Sequence, residues 1–192
     1  MEIMILLMIC GAYLIGACAS AIIIAQIFGI PDPRTHGSNN PGATNIYRLG
    51  GRLPAILVLL FDLLKGTVMV YGGYLLQIEP VWLGVIAIAA CLGHMYPIYY
   101  QFAGGKGVAT AFGCLLPLGI PVSASLLVVW LVTYWVFRYS SLAALVTVCT
   151  APLVCYWFKP DYTIAVTMLS GLIIWRHHAN IRRLIQGIEP KT

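Results

Sequence analysis

One stretch of the sequence combines glycines, a lysine and an isolated histidine within apolar surroundings. It runs from Gly93 to Thr110 and contains His94, followed further on by the tetrapeptide Gly104–Gly107, which reads GGKG. Glycines let backbone N–H groups approach a ligand closely, and a lysine among them adds a cation, which suits a phosphate group. A nucleotide-binding loop needs Ser or Thr after its lysine to bind magnesium, and Gly107 stands there instead. The stretch is therefore either a phosphate site of another kind or a glycine-rich turn between helices.

The longest polar segment, Pro31 to Arg52, is rich in uncharged hydrogen-bonding side chains. Its centre, Gly37–Asn45, contains a serine, a threonine and three asparagines, and Arg48 follows three positions later. Such residues often do no more than form turns. Here they supply hydroxyl, amide and guanidinium donors without an acidic group, which favours binding of an anion. A helix that starts near Thr44 would place Arg48 one turn further on, facing the same way.

A third polar cluster follows the last apolar segment, in the tail RHHANIRRLIQGIEPK. If a helix continues through this tail, His177 and Asn180 are at positions i and i+3 and share one face. Basic residues beside a membrane can also simply attract anionic headgroups. That interpretation accounts for Arg182 and Lys191, but not for a paired histidine and asparagine.

Two charged residues, Asp62 and Lys65, lie one turn apart inside an apolar segment. Charges within a membrane segment point to a functional site. An ion pair that braces the interior of the bundle is an equally good interpretation.

The composition predicts an all-α integral membrane protein, whose helices would hold these polar residues in place. Of 192 residues, 60% are hydrophobic and only 9% are charged, with a mean hydropathy of +0.90. Soluble domains have about a quarter of their residues charged. Repeated apolar runs of roughly 15 to 25 residues indicate helices rather than a barrel. Residues 1–192 are expected to form a single membrane domain, and the N-terminal run is expected to be a retained span.

The distribution of cations predicts a seven-transmembrane-helix bundle. The predicted spans are Ile3–Gly29, Leu53–Leu76, Val81–Tyr100, the two halves of Val108–Phe137 separated at Pro117–Pro121, the segment between Arg138 and Lys159, and Tyr162–Trp175. The break at Pro117–Pro121 puts nine Lys and Arg residues of the loops on one side and only Lys159 on the other, whereas a continuous helix would divide them five to five. Positive residues concentrate on the cytoplasmic side. The N-terminus is therefore predicted outside, and the C-terminus and all three polar motifs are predicted at the cytoplasmic face.

The spacing of these elements also predicts a recessed glycine loop. The segment from Lys106 to Pro117 is too short to cross a core about 30 Å thick at about 1.5 Å per residue. We therefore expect a water-filled site that is sunk into the bundle and open to the cytoplasm.

The absence of paired acidic residues narrows the chemistry. The chain has only six acidic residues, and none of them forms a pair suited to holding magnesium, so no metal or cofactor is expected. No nucleotide fingerprint occurs, and no nucleic-acid partner is expected.

In sequence, the motifs resemble those of the acyl-phosphate:glycerol-3-phosphate acyltransferase family of bacterial inner membranes, often called PlsY. The matching residues are Gly37, Ser38, Asn40, Gly42–Asn45 and Arg48, then Asp62, Lys65 and Gly66, then Gly93, His94, Pro97, Phe102, Gly104–Gly107, Ala109 and Thr110, and finally His177, Asn180, Ile181, Arg183, Leu184, Gly187 and Glu189. The match covers the whole chain in order. Asn39 departs from it, since the family usually has glycine there, although asparagine tolerates positive φ better than most residues.

The resemblance implies transfer of a fatty acyl group from acyl phosphate to the sn-1 hydroxyl of glycerol 3-phosphate. The products are lysophosphatidic acid and phosphate, at the first acylation of phospholipid synthesis, without a metal or a covalent enzyme intermediate. It implies a multi-pass protein of the bacterial inner membrane that contacts membrane lipid, with the active site facing the cytoplasm, and a monomer is expected to suffice.

The expected catalytic residues are Ser38, Lys106 and His177, and the expected substrate-binding residues are Arg48, Asn180, Asn40, Thr44, Asn45, Gly104, Gly105, Gly107 and His94. The alternative is a transporter or channel for a small anion, since the same donors could line a pathway. Transporters usually show internal repeats, and none is found in this sequence.

Overall fold

The apolar runs fold into helices separated by short loops. The computed structural model describes residues 1–191, in which ten α-helices and no strand occur. The helices are α1 (Glu2–Gly16), α2 (Ser20–Ile27), α3 (Ala43–Gly50), α4 (Arg52–Leu75), α5 (Pro80–Met95), α6 (Val108–Leu115), α7 (Ile120–Phe137), α8 (Ser140–Phe158), α9 (Thr163–Arg176) and α10 (His178–Ile185). Single 3₁₀ turns follow α5, α6 and α8 at Ile98–Tyr100, Leu116–Leu118 and Pro160–Tyr162.

Five segments of residues 1–191 are long and apolar enough to cross a membrane. They are Glu2–Ile27, Arg52–Leu75, Pro80–Tyr100, Ile120–Phe137 and Ser140–Phe158. The apolar segment Val108–Leu118 and the 14-residue helix α9 are shorter. These two occupy the places of the predicted fourth and seventh spans, and the count of seven remains a prediction.

The predicted first span is interrupted rather than continuous. Helix α1 ends at Gly16 and α2 begins at Ser20. The break exposes the carbonyl oxygen of Cys18, which accepts a hydrogen bond from Lys65 Nζ at 3.3 Å. The same oxygen accepts from the Ser20 N–H at 3.0 Å, so a local N–H and a polar group on another helix together replace the missing intrahelical donor.

Glycines let two pairs of helices pack backbone to backbone. A Cβ atom added to Gly16 would overlap the Ala90 carbonyl, and one added to Gly93 would overlap the Tyr13 carbonyl, so α1 and α5 lie in close contact. Gly66 on α4 and Gly113 on α6 are related in the same way to the backbone of the facing helix. Such small residues allow close helix approach where lipid offers no hydrophobic drive for association. This contact fixes the short helix α6, and with it the preceding glycine loop.

Large apolar side chains cover the outside of the bundle. Leu7 on α1, Phe61 on α4, Trp135 on α7 and Trp157 on α8 are all exposed. A surface of this kind suits hydrocarbon rather than water. The core between the helices is made of small and medium residues such as Ala12, Ala90 and Ile86, and the polar motifs gather at one end of it.

Candidate active site

The first polar loop is held in shape by the side chain of Asn45, which is buried at the start of α3. Its Oδ1 accepts a hydrogen bond from the Ser38 N–H at 2.9 Å. Its Nδ2 donates to the Pro33 carbonyl at 3.0 Å and to the His36 carbonyl at 2.9 Å. The loop also turns at Asn39, whose φ is +54°. This residue therefore adopts the left-handed conformation for which the family usually has glycine, and the asparagine there is compatible with it.

Helix α3 begins at Ala43, close to the helix start predicted near Thr44. It carries Arg48 one turn on, at the edge of the site, where Nη2 donates to the Lys191 carbonyl at 2.9 Å. The C-terminal tail therefore lies over this edge. Pro190, the residue before Lys191, also contributes to the cavity wall described below.

The glycine loop, Gly104–Gly107, is held by hydrogen bonds to His94 and to Arg176. The Gly105 N–H donates to the His94 carbonyl at 3.1 Å. Arg176 donates to the Gly105 carbonyl at 3.2 Å and to the Gly104 carbonyl at 3.3 Å, and its guanidinium lies over the Tyr96 ring. Both glycines are closely packed against His94, and neither is among the residues that line the cavity described below. Gly107 adopts a φ of +78° as α6 begins.

The third motif supplies a histidine with a defined tautomer. His177 lies at the junction of α9 and α10 and is 1% exposed. Its Nδ1 is 2.8 Å from the Ile173 carbonyl. A carbonyl can only accept, so Nδ1 carries the proton and Nε2 presents a lone pair.

Asn180, three residues later, is held by Glu189. The Asn180 amide donates to Glu189 Oε1 at 2.6 Å. The same carboxylate accepts from Ser141 Oγ at 2.6 Å and from Arg183 Nε at 2.6 Å. Glu189 therefore ties α8, α10 and the tail together.

These motifs converge on one cavity of about 440 Å³. Its polar end is lined by the residues Ser38, Asn40, Thr44, Asn45, Arg48, Asp62, His94, Lys106, Gly107, Ser141, His177, Asn180, Arg183 and Glu189. Its other end is lined by apolar side chains of α4, α6, α7, α8 and α9, including Leu63, Phe112, Leu126, Ala151 and Val166. A cavity with one polar and one apolar end suits an amphipathic ligand with an anionic head.

Burial shifts the protonation of two groups at the polar end. It lowers the pKa of Lys106 to about 8, and the nearby guanidinium groups act in the same direction. Burial also lowers the pKa of His177 to about 4, so that histidine is neutral at pH 7. Burial would raise the pKa of Glu189, but its three hydrogen bonds outweigh this and bring it below the ordinary value.

The structure brings to the cavity every site residue predicted from the sequence except Gly104 and Gly105. Sequence reasoning did not include Ser141 and Glu189 among the site residues. Ser141 lies in no motif, and nothing in the sequence marks it as a partner of a residue 48 positions away. Glu189 could have been found, because it is an acidic residue in a basic tail.

Asp62 and Lys65 form the ion pair that was one of the two interpretations of their spacing, at 2.8 Å. The pair is buried, and Asp62 also lines the cavity.

Known proteins resemble this chain along nearly its whole length. The family model described as "Glycerol-3-phosphate acyltransferase" matches residues 6–187. A glycerol-3-phosphate acyltransferase of Idiomarina loihiensis is 57% identical over 184 residues, which cover 96% of this chain and 94% of that protein. One of Vibrio campbellii is 56% identical over 191 residues, covering 100% of this chain and 94% of that protein.

Two solved structures share the fold. The crystal structure of PlsY (YgiH), an integral membrane glycerol 3-phosphate acyltransferase, in its glycerol 3-phosphate form, superposes with a TM-score of 0.91. It is 34% identical, and the match covers 98% of this chain and 95% of the other. The lysophosphatidic acid form of PlsY gives a TM-score of 0.89 at 34% identity, with coverage of 97% and 94%. The chain therefore belongs to the glycerol-3-phosphate acyltransferase family.

Proposed function

We propose that this protein transfers a fatty acyl group from acyl phosphate to the sn-1 hydroxyl of glycerol 3-phosphate. The products are 1-acyl-glycerol 3-phosphate and inorganic phosphate, as at the first acylation step of bacterial phospholipid synthesis. The observation that carries the proposal is the single cavity whose polar end gathers cations and neutral donors and whose other end is apolar. Relatives that bear the name glycerol-3-phosphate acyltransferase, and PlsY structures with glycerol 3-phosphate and with lysophosphatidic acid, support it.

The polar end must bring two anions together. We assign Lys106, the Gly107 amide and Ser38 to the phosphoryl group of acyl phosphate. Arg48, His177 and Asn180 would then bind glycerol 3-phosphate, with Asn40 and Thr44 completing the wall. Cationic donors offset the repulsion between the substrates and stabilise the charge that develops on the leaving phosphate.

Three glycine-loop and polar-loop residues have supporting roles instead. Asn45 uses both ends of its amide on the loop, so it shapes the site rather than touching substrate. Gly104 and Gly105 pack the glycine loop against His94 and place the neighbouring Lys106 at the cavity.

The reaction needs no covalent enzyme intermediate, because acyl phosphate is already an activated mixed anhydride. The sn-1 oxygen attacks the acyl carbonyl carbon, a new C–O ester bond forms, and the bond from that carbon to the phosphate oxygen breaks. Holding both substrates in one cavity contributes several kcal/mol to this step.

The hydroxyl proton has two possible acceptors. His177 Nε2 offers a lone pair, but its pKa of about 4 makes it a weak base. The phosphate that departs from acyl phosphate gains negative charge as its bond to the acyl carbon breaks, and this makes it the stronger base. We therefore assign His177 to orienting the hydroxyl, and the proton to the departing phosphate.

The acyl chain would occupy the apolar end of the cavity. Leu59 on α4 and Leu127 and Leu131 on α7 line it while remaining partly exposed at the outer surface. An opening between α4 and α7 would let a lipid chain exchange with the bilayer. We propose further that residues 1–192 form one seven-span domain of the bacterial inner membrane, with the polar end facing the cytoplasm, and that the monomer suffices.

The test uses purified protein in detergent with acyl phosphate and glycerol 3-phosphate. Acylated product and phosphate should form in equal amounts and only when both substrates are present. Lys106→Ala and Arg48→Ala should abolish transfer, while Lys159→Ala, which removes an exposed cation outside the cavity, should not. Phosphate movement across proteoliposomes without product formation would instead favour the small-anion transporter. Near-normal turnover in either site variant would contradict the site assignment.

A further inference from the structure

A second polar cluster lies beside the phosphate end, inside the helix bundle. It consists of Ser20 on α2, Asp62 and Lys65 on α4 and His94 on α5, each less than a tenth exposed. Asp62 Oδ1 accepts from Ser20 Oγ at 2.7 Å and pairs with Lys65 Nζ at 2.8 Å. The proposed function gives this cluster no role.

The three donors of the Lys65 ammonium each have an acceptor. Nζ lies 2.8 Å from Asp62 Oδ1, 2.8 Å from His94 Nδ1 and 3.3 Å from the Cys18 carbonyl. An ammonium has three N–H groups and no lone pair. His94 Nδ1 must therefore accept, and it carries no proton.

A competing arrangement fits less well. His94 Nδ1 is also 3.3 Å from Asp62 Oδ1, and a proton on Nδ1 could point there. That proton would face Lys65 at the shorter distance, so two donors would oppose each other within a buried cluster. The 3.3 Å contact is better explained by two acceptors that converge on the same ammonium.

Fixing Nδ1 as an acceptor leaves the proton of neutral His94 on Nε2. This edge of the ring lies where the glycine loop meets the first polar loop. A Cβ atom added to Gly105 would overlap His94 Nε2 and would lie 2.7 Å from the Pro41 carbonyl. His94 also forms part of the cavity wall. Among the described residues no hydrogen bond involves Nε2, so its donor is available to a ligand.

We propose that the Asp62–Lys65 pair fixes the tautomer of His94 so that Nε2–H is presented as a neutral donor to a substrate oxygen in the cavity. Asp62 and Lys65 are then positioning residues, and His94 is the group that touches substrate. The assignment rests on the proposed function for the identity of that substrate, an acyl phosphate or a phosphate monoester. A neutral donor is useful here because it stabilises an oxyanion without adding another positive charge to an already cationic site.

The first test is spectroscopic and needs no substrate. Protein labelled with ¹⁵N-histidine in detergent micelles gives separate signals for protonated and unprotonated ring nitrogens, and the His94 signals are identified by their loss in His94→Gln. We expect a protonated Nε2 and an unprotonated Nδ1 in the wild type. In Lys65→Met the ammonium is gone, so we expect His94 Nδ1 to carry the proton and to donate it to Asp62. A wild-type signal with the proton on Nδ1 would overturn the proposal, whether or not the protein proves to be an acyltransferase.

The second test measures kcat/KM for acyl transfer per folded protein, with folding checked by thermal unfolding. His94→Phe keeps the ring volume but loses the donor, and it should lower kcat/KM roughly 10- to 100-fold, the range for one hydrogen bond to a charged oxygen. His94→Gln places an amide N–H near the position of Nε2 and should recover a large part of this loss. His178→Gln, an exposed histidine on α10, is the matched control and should stay near wild type. Activity of His94→Phe within twofold of wild type, or no advantage of Gln over Phe, would refute the role of the donor.

Discussion

The lowered pKa of Lys106 makes the alkaline side of the pH–rate profile a direct test of its role. In the proposed mechanism Lys106 acts as a cation, and its pKa of about 8 lies well below the ordinary value of 10.5. It loses its charge as the pH rises through 8. The charged fraction is about 0.9 at pH 7, half at pH 8 and about 0.1 at pH 9. We therefore expect kcat/KM to fall about tenfold between pH 7 and pH 9, because this parameter reports the free enzyme.

The same profile for kcat should fall later, because a bound phosphate stabilises the charged lysine. The assay is acyl transfer by purified protein, with the uncatalysed hydrolysis of acyl phosphate subtracted at each pH. Lys106→Arg is the matched control, since a guanidinium keeps its charge throughout this range. Whatever activity this variant retains should not decline between pH 7 and pH 9. A wild-type profile that stays flat to pH 9, or an equal decline in Lys106→Arg, would refute the assignment.

Three further substitutions test the supports and the apolar end of the site. Asn45→Ala removes three loop hydrogen bonds, including the one from the Ser38 N–H. It should lower the free energy of unfolding by about 1–3 kcal/mol and reduce kcat/KM. Unchanged thermal unfolding would contradict this expectation. Glu189→Gln replaces one carboxylate oxygen with an amide N–H, which faces side chains that already donate. We expect Asn180 to lose its position and KM for glycerol 3-phosphate to rise, and an unaltered KM would show that Glu189 does not position Asn180. Ala151→Phe fills the deep apolar end of the cavity and should reduce turnover of long-chain acyl phosphates more than that of short-chain ones, whereas equal loss would place the acyl chain elsewhere.

Helix positions and the start of α3 could be predicted from the sequence because they depend on local patterns. The polar segment that ends at Arg52 is followed by a mainly apolar segment, and α4 begins at Arg52 itself. The interruption of the first span was not predictable. Residues 17–19 read Ala-Cys-Ala, which contains no helix breaker, and the break is matched instead by a hydrogen bond from Lys65, 47 positions away.

The function of single glycines was the least predictable part of the site. Glycine is required equally where a ligand approaches the backbone and where another backbone does. In the GGKG stretch, Gly104 and Gly105 are required by close packing within the protein, since a Cβ atom on Gly104 would overlap the His94 carbonyl and one on Gly105 would overlap the His94 ring. Lys106 and Gly107 line the cavity. Only the three-dimensional neighbours of each glycine separate these cases.

Two groups at the polar end have a lowered pKa for the same two reasons. Burial lowers the pKa of both Lys106 and His177, and each also feels positive charge from Arg176. Two carboxylates of the described residues line the cavity, Asp62 and Glu189. Asp62 pairs with Lys65, and Glu189 accepts hydrogen bonds from Ser141, Asn180 and Arg183. The side chains at this end therefore carry more positive than negative charge. A phosphate monoester carries about −1.5 to −2 charges at pH 7, so under the proposed site assignment the first phosphate to bind would stabilise the charged form of Lys106. In that assignment, the attraction of each substrate to these cations offsets the repulsion between the two substrates.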